Sequence, residues 1–77
     1  MSMELLGTLT LHGMARDFED PNDGIGVTTD TDSPGVVTVS TVATINGKQV
    51  DAVVYLTVDG ANALKDALSR AIYVAGA

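Results

Sequence analysis

Hydrophobic and polar positions alternate along residues 3–12, MELLGTLTLH. Leu5, Leu9 and Leu11 fall on one side with Gly7, and Leu6, Thr8, Thr10 and His12 on the other, the period-two pattern of a half-buried strand. The alternation stops at Gly13. The segment 13–35, GMARDFEDPNDGIGVTTDTDSPG, holds both prolines and four of the eight glycines, residues that favour turns over regular elements. A structureless loop of that length is unusual in so small a domain. A short strand is therefore expected inside it, Ile25 to Thr31, closed by a turn at Asp32-Ser33-Pro34-Gly35.

Residues 36–45, VVTVSTVATI, are dominated by β-branched side chains that suit a pleated surface. Asn46-Gly47 follows, then a second such run from Lys48 to Val58. Asn-Gly between two strand-like runs predicts a hairpin, because a type I′ turn needs positive φ at both central residues. The turn fixes the register, and the register assigns the faces. With Ile45 opposite Lys48, one face pairs Ala43 with Val50, Thr41 with Ala52, Val39 with Val54 and Val37 with Leu56. It is almost wholly apolar and is expected to lie on the core. The opposite face is mixed: Thr44 with Gln49, Val42 with Asp51, Ser40 with Val53, Thr38 with Tyr55 and Val36 with Thr57.

From Gly60 the period becomes helical. Ala61, Leu64, Leu68, Ala71, Ile72 and Ala75 share one stripe, while Asn62, Lys65, Asp66, Ser69 and Arg70 cover the other side. Asp59 is expected as the N-cap and Gly76 as the stop. These elements predict a single α+β domain over 1–77: a small antiparallel sheet of three to four strands, with one C-terminal helix packed on one face and an acidic loop at 13–35. The expected core is Leu5, Leu9, Leu11, Val37, Val39, Val50, Val54, Leu56, Leu64, Leu68 and Ile72.

The chain's 77 residues allow one thin core. A folded protein of this mass exposes about 4,400 Å² and buries roughly 60% of its extended-chain surface, and self-association is a common remedy at this size. Without cysteine, disulfides and thiolate chemistry are excluded. Ten acidic residues against four basic ones give a net charge of −6. Arg16, Lys48, Lys65 and Arg70 are scattered, so neither direct nucleic-acid binding nor attraction to an anionic membrane is expected. The N-terminal residues lack the basic start of a signal peptide, and no apolar run approaches a membrane span, so the expected compartment is the cytoplasm.

Candidate chemistry is sparse. His12, the single histidine, has no evident partner for acid–base or metal work, and reads as a surface residue. Asp20-Pro21-Asn22-Asp23-Gly24 is oxygen-rich but one residue short of an EF-hand loop and lacks its closing Glu. Asp30 and Asp32 share a side of a strand, without the cleft that paired-carboxylate catalysis needs. Gly24-Ile25-Gly26 lacks the third glycine of a dinucleotide loop. No catalytic residue, cofactor or metal is expected.

The stretch 54–71, VYLTVDGANALKDALSRA, resembles the strand-to-helix end of small, mostly uncharacterised actinobacterial and actinobacteriophage proteins, with the pattern V-x-L-T-x-D/E-x-A-x-x-L-x-x-A-L-x-x-A. The resemblance covers about a quarter of the chain and implies no catalytic residue. Leu56, Thr57, Ala61, Leu64, Lys65 and Leu68 also resemble the spacing of the dimerisation domain of the actinobacterial H-NS-like xenogeneic silencer. That likeness implies self-association, or a mimic of that surface, rather than DNA binding.

Two features bear on partners. The mixed face carries Leu6, Val36, Val42, Val53 and Tyr55 among threonines, an apolar patch of the kind that marks interfaces, with an open sheet edge to add strand pairing. The acids Asp17, Glu19, Asp20 and Asp23 concentrate in the loop. The expected function is a non-enzymatic protein-interaction module, a small phage or actinobacterial accessory protein that forms a homodimer, binds a host protein, or does both. The alternatives are a calcium- or small-ligand-binding domain using 17–32, or an acidic nucleic-acid mimic.

Overall fold

The computed structural model describes residues 5–77, with side chains from Gly7 onward. The expectations for residues 3–4, and for the side chains of Leu5 and Leu6, lie outside the described residues. Five strands and one helix follow in order: β1 (Leu5–Leu6), β2 (Leu9–Arg16), β3 (Gly24–Asp30), β4 (Val36–Ile45), β5 (Lys48–Thr57) and α1 (Val58–Ala75). The four long strands and the two-residue β1 form one antiparallel sheet in the spatial order β1-β2-β3-β4-β5, with every neighbour in space also a neighbour in sequence. The architecture is the expected α+β one.

The β4–β5 hairpin has the register read from its turn. Ile45 faces Lys48, Val39 faces Val54 and Val36 faces Thr57, with no slip over ten pairs. Asn46 and Gly47 take φ of 52° and 80°, the left-handed values that a type I′ turn demands at both positions. On β3, Val27 pairs with Val39 and Thr29 with Val37, so these residues extend the apolar face.

Segment 13–35 holds the expected strand, β3 at Gly24–Asp30, followed by the expected turn, but the rest of it is less of a loop than the sequence suggests. β2 continues through Arg16, and β3 begins at Gly24, leaving only 17–23 and 31–35 as connections. The continuation of β2 was hidden by a β-bulge. Leu11 pairs with Thr28 and Gly13 with Val27, so His12 is an extra residue opposite no partner of its own. One inserted residue breaks the period-two count, and everything beyond it changes side.

Three further expectations are corrected. Residues 5–12 are not one strand: Gly7, with φ of 65°, turns the chain between β1 and β2. Leu9 and Leu11 do not join the core. They pair with Asp30 and Thr28, which the β3–β4 register places on the mixed face. The cap of α1 is Thr57 rather than Asp59: its hydroxyl accepts from the Gly60 amide at 3.0 Å, while Asp59 sits in the first turn. A threonine in extended backbone (φ −70°, ψ 168°) can end a strand and cap a helix at once, so β5 passes into α1 with no connecting residue.

The helix leans over the apolar face and touches only β4 and β5. It does not close on them. Val39 is the one buried residue among those described, at 7% exposure, while Val37 and Leu56 are half-buried and Val50 and Val54 are exposed. Along the helix stripe, exposure climbs from 39% at Leu64 to 53% at Leu68 and 69% at Ile72. The expected core residues line up on the facing surfaces, but the helix departs from the sheet as it runs. The stripe is rich in alanine (Ala61, Ala71, Ala75), and alanines cannot bridge a widening gap.

Candidate interaction surfaces

Three surfaces hold the chain's candidate contacts. The first is the wedge between α1 and the sheet, a cleft of about 330 Å³ walled by Val27, Val37, Val39 and Leu56 below and by Leu64, Leu68 and Ile72 above. Its only charged wall residue is Lys65. Periodicity identified all of these except Val27, but as a finished core; the signal that the core stays open lies in the small stripe residues and in the absence of an aromatic on either wall.

The second surface is the mixed face. Val36, Val53 and Tyr55 line one shallow depression of about 300 Å³ together with Leu9, Thr28 and Asp30. Tyr55 is 73% exposed. Val42 stands apart, in a different hollow beside Arg16, Pro21 and Asp23. By register Val42 still shares the mixed face with Val36, Val53 and Tyr55, and Leu9 and Leu11 join them on it.

The third is the acidic turn at 17–23. The Asp17 carboxylate accepts from the amides of Glu19 and Asp20 at 2.9 and 3.0 Å. Those amides hold its carboxyl below the usual carboxylate range, against a small opposing effect of burial. Asp20 accepts from the Asn22 amide at 2.9 Å, and Asp23 accepts from the amide and hydroxyl of Thr44. Arg16 donates to the Pro21 carbonyl at 2.9 Å. Three of the four acids expected to meet a partner therefore fasten their own turn, and Glu19 alone projects from it without a side-chain hydrogen bond among the described residues. In the next turn, the Thr8 hydroxyl and the Asp32 amide hold the Asp30 carboxyl below its usual range.

His12, displaced by the bulge, meets Thr29 through Nε2 and Oγ1 at 2.7 Å. No group of three or more His, Asp or Glu side chains is placed to hold a metal among the described residues. No helix among them is long and apolar enough to cross a membrane. Comparison with family models, curated proteins and solved structures gives no match.

Proposed function

We propose that the chain is a non-enzymatic protein-interaction module that acts as a homodimer. One observation carries this reading. The chain exposes 6054 Å², against about 4,400 Å² for a folded monomer of its mass. Apolar residues on the sheet and helix surfaces that face each other are part of that exposure: Val50, Val54, Leu64, Leu68 and Ile72 are all exposed. A domain with one buried residue among those described has too little burial to offset its conformational entropy alone, and a partner that covers those surfaces supplies the rest. The resemblance of Leu56, Thr57, Ala61, Leu64, Lys65 and Leu68 to the spacing of the silencer's dimerisation domain points the same way. The mixed face, with Tyr55 as an exposed aromatic anchor, is then the surface offered to a different protein, such as one of a phage host.

Sedimentation equilibrium at micromolar concentration tests the reading. The expected mass is twice that of the chain, little changed or slightly increased by salt, since screening relieves repulsion between two anionic copies. A single-chain mass in both low and high salt overturns it.

A further inference from the structure

We infer that the occupant of the open cleft is the helix of a second copy, so that two helices pack side by side between two sheets and finish one shared core. This rests on the self-association reading and names the surface through which it acts.

Four observations favour a second copy over other occupants. The first is the shape of the gap. Exposure rises steadily along Leu64, Leu68 and Ile72, so the space widens toward the C-terminal end of α1, where a second rod of side chains fits and the protein's own helix cannot reach. The second is self-complementarity. The cleft lacks an apolar ridge and the helix tip lacks an apolar floor, and a two-fold axis satisfies both needs at once, because each copy presents the same pair of surfaces to the other.

The third is charge. Three of the four basic residues, Lys48, Lys65 and Arg70, lie on α1 or on the sheet face beneath it, where only Asp59 and Asp66 are acidic. The acids of the 17–23 turn, and Asp32 in the 31–35 connection, are on neither α1 nor that sheet face. The helix side is thus the part of the molecule where two copies with a charge of −6 each can meet without repulsion. The fourth is area. The two facing walls leave Val50, Val54, Leu64, Leu68 and Ile72 between 39% and 69% exposed, apolar area that a second helix would cover.

The chain has no cysteine, so single cysteines report proximity cleanly. Ile72→Cys and Thr38→Cys are each treated with a short bismaleimide, and Ile72→Asp and Tyr55→Asp are weighed by sedimentation. The inference expects efficient linkage of two chains through Cys at 72 and little through 38. It also expects Ile72→Asp to raise the dimer dissociation constant at least 100-fold while Tyr55→Asp leaves it within about threefold. Should Ile72→Asp fail to fold, the cysteine pair decides alone. A dimer that links through 38 but not 72, and is lost in Tyr55→Asp, overturns the inference and keeps the self-association reading. A wild-type monomer overturns both. Native mass spectrometry showing one chain with a small apolar molecule bound, and no dimer, also overturns both.

Discussion

The Asp23 carboxylate holds Thr44 twice, accepting from its backbone amide at 2.8 Å through Oδ2 and from its hydroxyl at 2.9 Å through Oδ1. The position explains the need. β3 pairs with β4 only as far as Gly24 opposite Val42, so the Thr44 amide lies past the end of the ladder. A side chain replaces the missing strand partner, and in doing so fastens the 17–23 turn to the hairpin end of β4.

Asp23→Ala is accordingly expected to free the Thr44 amide and loosen the turn without changing the register elsewhere. Hydrogen exchange at Thr44 should speed up markedly, and urea denaturation should show a loss of ~1 kcal/mol, the usual scale for a partly solvated hydrogen bond. Thr44→Ser, which keeps both donors, should be close to neutral. Unchanged exchange in Asp23→Ala would remove the latch.

Two glycines in adjacent strands should respond in opposite ways. A Cβ on Gly24 would run into the Ala15 carbonyl oxygen, whereas one on Gly13 meets nothing. Gly24→Ala should therefore force β2 and β3 apart and cost about 1–3 kcal/mol, as overpacking does. Gly13→Ala should be neutral or slightly stabilising, since it restricts the unfolded chain. Thermal melts of the two variants side by side would reverse this ranking only if the β2–β3 spacing were wrong.

The cap of α1 gives a third expectation. Thr57 is the only residue whose side chain is recorded satisfying an orphan amide at that helix start among those described. Thr57→Ala should cost ~1 kcal/mol, and Thr57→Ser should restore most of it. Asp59→Ala should matter less, because Asp59 acts only through the helix dipole. Equal losses from Thr57→Ala and Asp59→Ala, measured by urea titration, would contradict the assignment.

Acid sensitivity follows from Asp17 and Asp30, whose carboxyls are held below their ordinary values by amides and, for Asp30, first by the Thr8 hydroxyl. A depressed folded pKa means that the stabilisation is present above the unfolded value of about 3.9 and is lost as pH falls through the lower folded value. The melting temperature should thus hold near neutrality and fall below about pH 4. In Asp17→Asn/Asp30→Asn the acid limb should be shallower; an unaltered limb would show that other groups govern it.

The parts of the fold legible in the sequence were those governed by local rules. Asn46-Gly47 states its turn type outright, and that turn alone placed twenty residues of β4 and β5 on their correct faces. The helix was legible because its period is regular from Ala61 to Ala75. What escaped notice depended on single insertions or on distance. His12 shifts the period by one, so β2 beyond it does not continue the alternation, and the side that Leu9 and Leu11 take is set by distant pairing with Asp30 and Thr28 rather than by their own pattern. Thr57 escaped because a strand residue rarely doubles as a cap. The cleft escaped because hydrophobic pattern shows which side chains face one another but not how far apart the two walls stand.

Each strand of the sheet lies next to the one made just before it, and the connections are short. The chain therefore never has to close a long loop before a contact rewards it, and hairpins of this kind form on a scale of about 1–10 μs. Folding can spread by zipping outward from Asn46-Gly47, with low loop-closure entropy at every stage. Under the proposed self-association, speed would belong to the single chain and completeness to the pair: a rapid first-order phase that builds the sheet, followed by a slower step whose rate depends on protein concentration.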